Sequence, residues 1–594
     1  MKLGNYFTSN RDLTLYIDEL IPWHRLVPLV EGPAADVPTT VATWRDVLVM
    51  AGEYCGKEIA ARAREVDEAS VTYGPPEVLT SEPMLENLRG LRELGLIGLG
   101  LPREYGGAGL PFTVAAAMIE LLARACPSTM VQYAFYVSPA AMIVRFGTEE
   151  QKKLWVPRLA RGEIIGAVAM TEPEAGSDVG NLSTTASPGE DGSWRLSGGK
   201  QFISSGNGQM VIVLARCVPG SRGLDGLGLF IVPRRVTVES AERDNYRVER
   251  AERKLCIAGS PTCALSFADS QAELLGEVGG GFAAITSFMN ESRVAVGIQA
   301  LGLAQAAYEA ASDYAAQRVQ MGVPIREHPL VAEMLLDMEA SVVGLRALCY
   351  EAAVTSDLVM GLEREGGSPE RARRMSRYLR ELTPLVKYHG AEEAVRLARV
   401  AVQVHGGYGV IKDYDVERFA RDSLILPIYE GTSQIQALMA TKDLMKAVLA
   451  NPRTVLASGP SPALAQARFD GALGRDFGAA RSKMVSTLRY LLVDLARGLG
   501  PRRAIAMATG RSRPEFDDFG YVLLHAERLT QMLARLHITR LLANQAARIP
   551  ERRPIAERFA RHALRLCQTN AAQIRSGDRS TLEAIARWRA GESA

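Results

Sequence analysis

In this 594-residue chain, Glu430 stands where a base would be useful. It occupies the turn Tyr429-Glu430-Gly431-Thr432, near the end of the stretch QVHGGYGVIKDYDVERFARDSLILPIYEGTSQIQ that runs from Gln403 to Gln436. Upstream lie the loop Gly406-Gly407-x-Gly409 and the neighbours Arg421 and Asp422. Glycines let a backbone approach a bound cofactor closely, and a carboxylate on a turn between helical segments can take a proton from a substrate held there. Arg421 and Asp422 read as a structural ion pair, not as catalytic residues.

Four further segments carry groups of the same kind. Met170-Thr171-Glu172-Pro173-Glu174-Ala175-Gly176-Ser177-Asp178 reads, as a bare pattern, as an ordinary turn. Gly199-Lys200-Gln201-Phe202-Ile203-Ser204-Ser205-Gly206 alternates like a β-strand. Gln317-Arg318-Val319-Gln320-Met321-Gly322 offers a guanidinium, whose fixed fork of donors suits phosphate oxygens. Asn290-Glu291-Ser292-Arg293 reads as the start of a long helix, where Asn290 is a natural cap.

Taken together, these motifs resemble the acyl-CoA dehydrogenase family of flavoproteins, over about residues 84 to 444. The resemblance implies FAD held noncovalently between a β-barrel and a helical bundle, partly by a second subunit. It makes Glu430 the base that takes the α proton of an acyl-CoA thioester while FAD N5 accepts hydride from the β carbon. The product would be the trans-2-enoyl-CoA, as in fatty-acid β-oxidation. The Glu430 backbone N–H and a flavin ribityl hydroxyl would hold the enolate-like oxygen, each donor typically worth ~3 kcal/mol.

By the same resemblance Met170, Thr171, Gly176 and Ser177 run along the flavin, with Ser177 also near the thioester. Phe202 and Ser204 stand where the family has tryptophan and threonine, keeping an aromatic surface and a hydroxyl near N5. Arg318 reaches the FAD pyrophosphate of a neighbouring subunit, with Gln403, Gly406 and Gly407 approaching the same cofactor. Thr432 and Gln434 fall on the adenosine side, and Asn290, Arg293 and Gly431 toward the substrate. An electron-transferring flavoprotein would be the electron acceptor and the assembly a homodimer or dimer of dimers. The alternatives are an acyl-CoA oxidase using oxygen, and a flavin-containing DNA-binding stress protein of the same superfamily.

The elements that must position these groups divide the chain. Residues 1–165 read as a helical domain, with apolar positions at helical spacing in Trp44–Arg64 and Met84–Leu94 and a further helix at Phe112–Ala125. Residues 166–277 turn to short β-branched runs, a barrel-like β domain. Residues 278–450 are Ala- and Leu-rich helices, a four-helix bundle carrying Glu430. Pro452 to Pro462 reads as a linker, and residues 463–594 as a basic helical domain. The fold class is therefore α+β and mostly helical. No GxGxxG joins a strand to a helix, so a Rossmann site is not expected.

Composition is that of an ordinary globular protein, 47% hydrophobic and 23% charged with net charge +2. The most apolar region, Ala115 to Val144, is broken by Glu120, Arg124, Pro127 and Pro139, so it reads as buried helices and not as a span of ~20 residues. No membrane insertion is expected. The amino terminus lacks a leader pattern, which predicts a cytoplasmic address. Seven scattered cysteines without CxxC spacing argue for small core residues in a reducing compartment, and no metal is expected. From Ala465 onward there are 23 Lys and Arg against 12 Asp and Glu, a local charge of +11 that leaves −9 on the rest. Such a module reads as pairing with an acidic neighbouring domain, in preference to a nucleic acid.

Overall fold

The structure is a computed structural model; it describes residues 4–591 apart from 75–76, 191, 239, 365–367 and 509–515. The amino-terminal part is helical, and the expected buried helices are there as Phe112–Ala125 and Pro127–Phe146. The charges that break their apolar run are buried and paired. Glu120 accepts from Arg346 Nη2 at 2.5 Å, and Arg124 meets Glu309 at 2.6 Å. One hairpin interrupts the helices, Val71–Gly74 with Glu77–Thr80, and Tyr73 ties it to the β domain by donating to the Val248 carbonyl at 2.9 Å.

The central sheet has seven strands: β1 (Gly166–Ala169), β2 (Thr185–Pro188), β3 (Trp194–Ser204), β4 (Met210–Arg216), β5 (Leu227–Pro233), β6 (Arg247–Ala251) and β7 (Thr262–Leu275). β4 and β5 are continuous apolar runs that pair antiparallel from Met210↔Pro233 to Arg216↔Leu227 and are buried on both faces. The 14-residue β7 pairs with β3 from Thr262 to Ala272, with β6 from Cys263 to Ser266, and with β5 from Glu273 to Leu275. Register shifts at Cys263/Leu265 and Phe267/Ser270 bend it, as bulges do, so the sheet curls into a ring.

Four helices make the bundle: α1 (Gly281–Gln317), α2 (Pro329–Arg364), α3 (Pro369–His405) and α4 (Ser433–Ala450). α3 starts with Ser368 accepting from the Arg371 N–H at 3.4 Å and Pro369 in its first position; it ends at Gly406, whose φ of +61° only glycine adopts freely. α1 and α3 touch backbone to backbone: a Cβ on Gly297 would lie 2.2 Å from Val386 Cγ1. A Cβ on Gly302 would lie 2.4 Å from the Glu120 carbonyl, so the Phe112–Ala125 helix crosses α1 there.

Three expectations need correction. α1 begins at Gly281, so Asn290 is its tenth residue and caps nothing. The linker is folded as short helices, Pro452–Ser458 and Pro462–Gln466, each with proline in its first turn. Arg421 and Asp422 do not pair with each other, because consecutive helical residues point apart. Arg421 meets Asp67 and Glu417, each at 2.7 Å, while Asp422 accepts from the Ile257 N–H at 2.6 Å.

The basic carboxy-terminal module docks on the bundle through its arginines. Arg535 meets Glu393 at 2.7 Å, Arg540 meets Glu351 at 3.2 Å, and Arg558 meets Glu333 and Asp337 at 2.7 and 2.6 Å. Arg552 pairs with Asp12 of the amino-terminal part. Four of its arginines are therefore turned inward, onto carboxylates of the acidic body.

Candidate functional site

Glu430 takes a backbone conformation that side-chain-bearing residues avoid, φ +58°. The turn is held by its carbonyls. Arg293 Nε, from α1, donates to the Glu430 carbonyl at 3.3 Å, and Gln436 Nε2, from α4, donates to it at 3.0 Å. Arg293 is itself oriented by Asn290, whose Oδ1 accepts from Nη1 at 3.2 Å. Thr432 Oγ1 caps α4 by accepting from the Ile435 N–H at 3.3 Å, and Ser433 Oγ donates to Glu392 of α3 at 2.6 Å. Strain of about 1–3 kcal/mol persists at such a residue only where the surroundings over-determine it.

Glu430 Oε2 is closed off from solvent and has no hydrogen-bond partner among the described residues. Burial pushes the carboxyl pKa above the usual range, against the opposing pull of a Ser292 hydrogen bond and of the Arg293 and Lys387 charges. A partly desolvated carboxylate with an open oxygen is a stronger base than a solvated one.

A second cluster is built on the edge of the sheet. Past the end of β1, Met170 and Thr171 are pinned to β3: the Met170 carbonyl accepts from Lys200 Nζ at 3.0 Å and the Thr171 carbonyl from the Gln201 N–H at 2.9 Å. Beneath them Lys200 and Glu172 form a buried ion pair at 2.8 Å. Glu172 also accepts from the Ser183 and Thr184 N–H groups at 2.6 and 3.1 Å. Burial raises its carboxyl, but the Lys200 charge and these bonds outweigh that and hold it at about 2. Phe202 follows, with φ +61° and 62% of its surface exposed. Gly176 and Ser177 are exposed, and Ser204 is half-buried.

A third cluster lies at the far end of α1 and α3. Arg318 is exposed and meets no carboxylate among the described residues; its guanidinium lies 5.8 Å from the Tyr408 ring centroid, beside exposed Gln403, Gly406 and Gly407. Val410 and Met321 leave 71% and 94% of their surface exposed here. Gln434, at the start of α4 beside the Glu430 turn, donates from its amide to Glu527 of the carboxy-terminal module at 3.2 Å.

The residues present fit a flavin dinucleotide. An exposed aromatic beside two hydroxyls, Thr171 and Ser204, that make no hydrogen bond among the described residues suits a flat polar ring. Three supports were not singled out in sequence: Lys200 with Glu172, Gln436, and Lys387 on α3. For Lys387, a lysine beside the apolar Leu385 and Val386 was the available signal; Lys200 and Gln436 stand in stretches that gave none.

The chain matches the models of the acyl-CoA dehydrogenase amino-terminal, middle and carboxy-terminal domains over residues 43–163, 167–270 and 279–445. It belongs to the acyl-CoA dehydrogenase family and is an FAD-dependent oxidoreductase. The 3-methylmercaptopropionyl-CoA dehydrogenase of Ruegeria pomeroyi is 34% identical over 73% of this chain and 75% of that one. The butyryl-CoA dehydrogenase structure from Megasphaera elsdenii superposes with a TM-score of 0.59 at 30% identity, covering 68% of this chain and 98% of that one. An acyl-CoA dehydrogenase of Bacillus anthracis, complexed with FAD, shares the fold over 90% of this chain and 88% of its own, with TM-score 0.73 at 24% identity.

Proposed function

We propose that the enzyme removes hydrogen from the α and β carbons of an acyl-CoA thioester to give the trans-2-enoyl-CoA, with Glu430 as the base. The observation that carries this reading is the buried, unpartnered Oε2 of Glu430 on a turn fixed by Arg293 and Gln436. The Oε2 of a carboxylate so held takes the α proton with no hydrogen bond from a described residue to break at that atom. The Glu430 N–H is the chain's own donor to the thioester oxygen, which gains charge as the proton leaves. Bound FAD supplies the hydride acceptor for the β carbon. Thr171 and Ser204 would donate to its ring, Phe202 would cover it, and the Lys200–Glu172 pair keeps the segments carrying them in register.

Gly176, Ser177, Asn290 and Gly431 belong to the same reading as residues along the flavin and substrate, as do Thr432 and Gln434 on the adenosine side. Arg318, Gln403, Gly406 and Gly407 would serve the FAD of a second subunit, in a homodimer or dimer of dimers. Electrons would leave to an electron-transferring flavoprotein, in a cytoplasmic setting. Among the described residues no helix is long and apolar enough to cross a membrane.

The test is anaerobic bleaching of the bound flavin by a panel of acyl-CoAs, followed by oxygen uptake during turnover. Bleaching with little oxygen uptake is expected. Stoichiometric peroxide formation would mark an oxidase, and no bleaching by any acyl-CoA would overturn the reading.

A further inference from the structure

We propose that Lys387 is a positioning residue for the base, a buried countercharge that keeps Glu430 ionised until the α proton arrives; this rests on the reading of Glu430 above. Lys387 lies on α3 and is 0% exposed, and its Nζ meets no hydrogen-bond acceptor among the described residues. A buried ammonium is costly unless an opposite charge faces it.

Its place in the fold says which charge that is. The adjacent Val386 packs on Gly297 of α1, one turn beyond Arg293, whose guanidinium holds the Glu430 carbonyl. Ser433, three residues past Glu430, is tied to α3 through Glu392. The charged groups that face Lys387 are Glu430 from the turn, Glu392 from its own helix and Arg293 from α1. Glu392 already accepts the Ser433 hydroxyl. Glu430 keeps Oε2 unspent, and Gln436, which holds the turn from α4, has an unpartnered Oε1. Lys387 is thus a donor facing a site that still has acceptors to fill.

Arg293 and Lys387 then do different work. Arg293 binds the turn's backbone, and its charge is permanent over the working pH range. Lys387 Nζ donates to no backbone group among the described residues; burial pushes its pKa down to about 8, against the opposing pull of Glu430 and Glu392. In the proton transfer, the α C–H bond breaks, its electron pair stays on carbon, and an O–H bond forms on Glu430. Below about pH 8 Lys387 keeps its three protons throughout.

The test compares holoenzyme carrying Lys387→Met or Lys387→Arg with wild type in anaerobic single-turnover flavin reduction across pH. An opposite charge typically moves a carboxyl by ~1 pH unit or more. The acidic limb of the K387M profile is therefore expected about one unit higher, with the K387R limb at the wild-type position. A K387M limb that coincides with wild type overturns the proposal. So does a K387R limb displaced as far as K387M, since shape and not charge would then matter. If K387M does not retain FAD, wild type against K387R decides: the inflection expected near pH 8 must vanish in K387R, and its presence in both overturns the proposal. Glu430→Gln separates the two readings, because loss of bleaching in E430Q with an unmoved K387M limb removes only the role of Lys387.

Discussion

Arg293 lies within α1 and Arg318 is the residue that ends it, twenty-five positions on, which places them roughly 38 Å apart along the helix axis. Arg293 belongs to the Glu430 turn, and Arg318 to the exposed cluster with Gln403, Gly406 and Gly407. Two ends of one rigid helix serve one cofactor most simply when a second subunit brings its own far end to the first subunit's near end. Arg318→Ala should therefore leave the fold intact and weaken FAD binding by about 10- to 100-fold, the usual worth of a hydrogen bond to a charged group. Titration of apoprotein with FAD measures this. Mass in solution should read at least a dimer, and a folded, FAD-saturated monomer would contradict the arrangement.

Lys200→Met should destabilise the protein by roughly 3–5 kcal/mol, because it leaves Glu172 charged and buried without its partner. Denaturant unfolding of the FAD-loaded protein measures it. Loss of fit between the Met170–Thr171 segment and β3 should also weaken FAD, while K200M with unchanged midpoint and FAD affinity would show that the pair positions nothing.

Acid should act through the same pair. Glu172 is held at about 2, below the ordinary carboxylate range, so its contribution is fully present above that range and fades as pH falls toward 2. Flavin release on acidification should therefore show a component below about pH 4.5 in wild type that Glu172→Gln lacks. Identical release curves would remove Glu172 from the account.

Arg535→Met should cost roughly 3 kcal/mol, since Glu393 is buried and depends on Arg535 and Arg396 for its countercharge. The loss should appear in the unfolding midpoint and leave the rate of flavin reduction within about twofold. A variant as stable as wild type would mean that the module's arginines serve something other than docking.

Sequence alone exposed the parts of the site that lie in short contiguous stretches. Glu430 with Gly431 and Thr432 is legible as a carboxylate on a turn, whereas the Met170–Ser177 loop and the Phe202–Ser204 strand read by themselves as a turn and an alternating strand and take a role only from the family resemblance; the Phe112–Ala125 helix and the apolar run of β4 are legible as elements. What stayed hidden is assembled across the chain. Arg293, expected toward the substrate, instead holds the Glu430 carbonyl from 137 residues away, and the supports Lys200, Lys387 and Gln436 act only through folding. Local signals also misled where one residue type serves two ends of an element. Asn290 suggested a helix start that lies at Gly281, and the prolines of residues 452–462 open short helices within the expected linker.

Glu430→Gln tests the central claim most directly, in anaerobic stopped-flow mixing of the FAD-loaded variant with the acyl-CoA that bleaches wild type best. The change keeps volume and hydrogen-bonding reach but removes the basic lone pair, so flavin reduction should fall by at least about 10³-fold with FAD content and melting temperature unchanged. In wild type the rate should fall as pH drops through the Glu430 pKa, which burial places above the ordinary carboxylate range. Reduction of E430Q at the wild-type rate would contradict the account, because another group would then be taking the α proton.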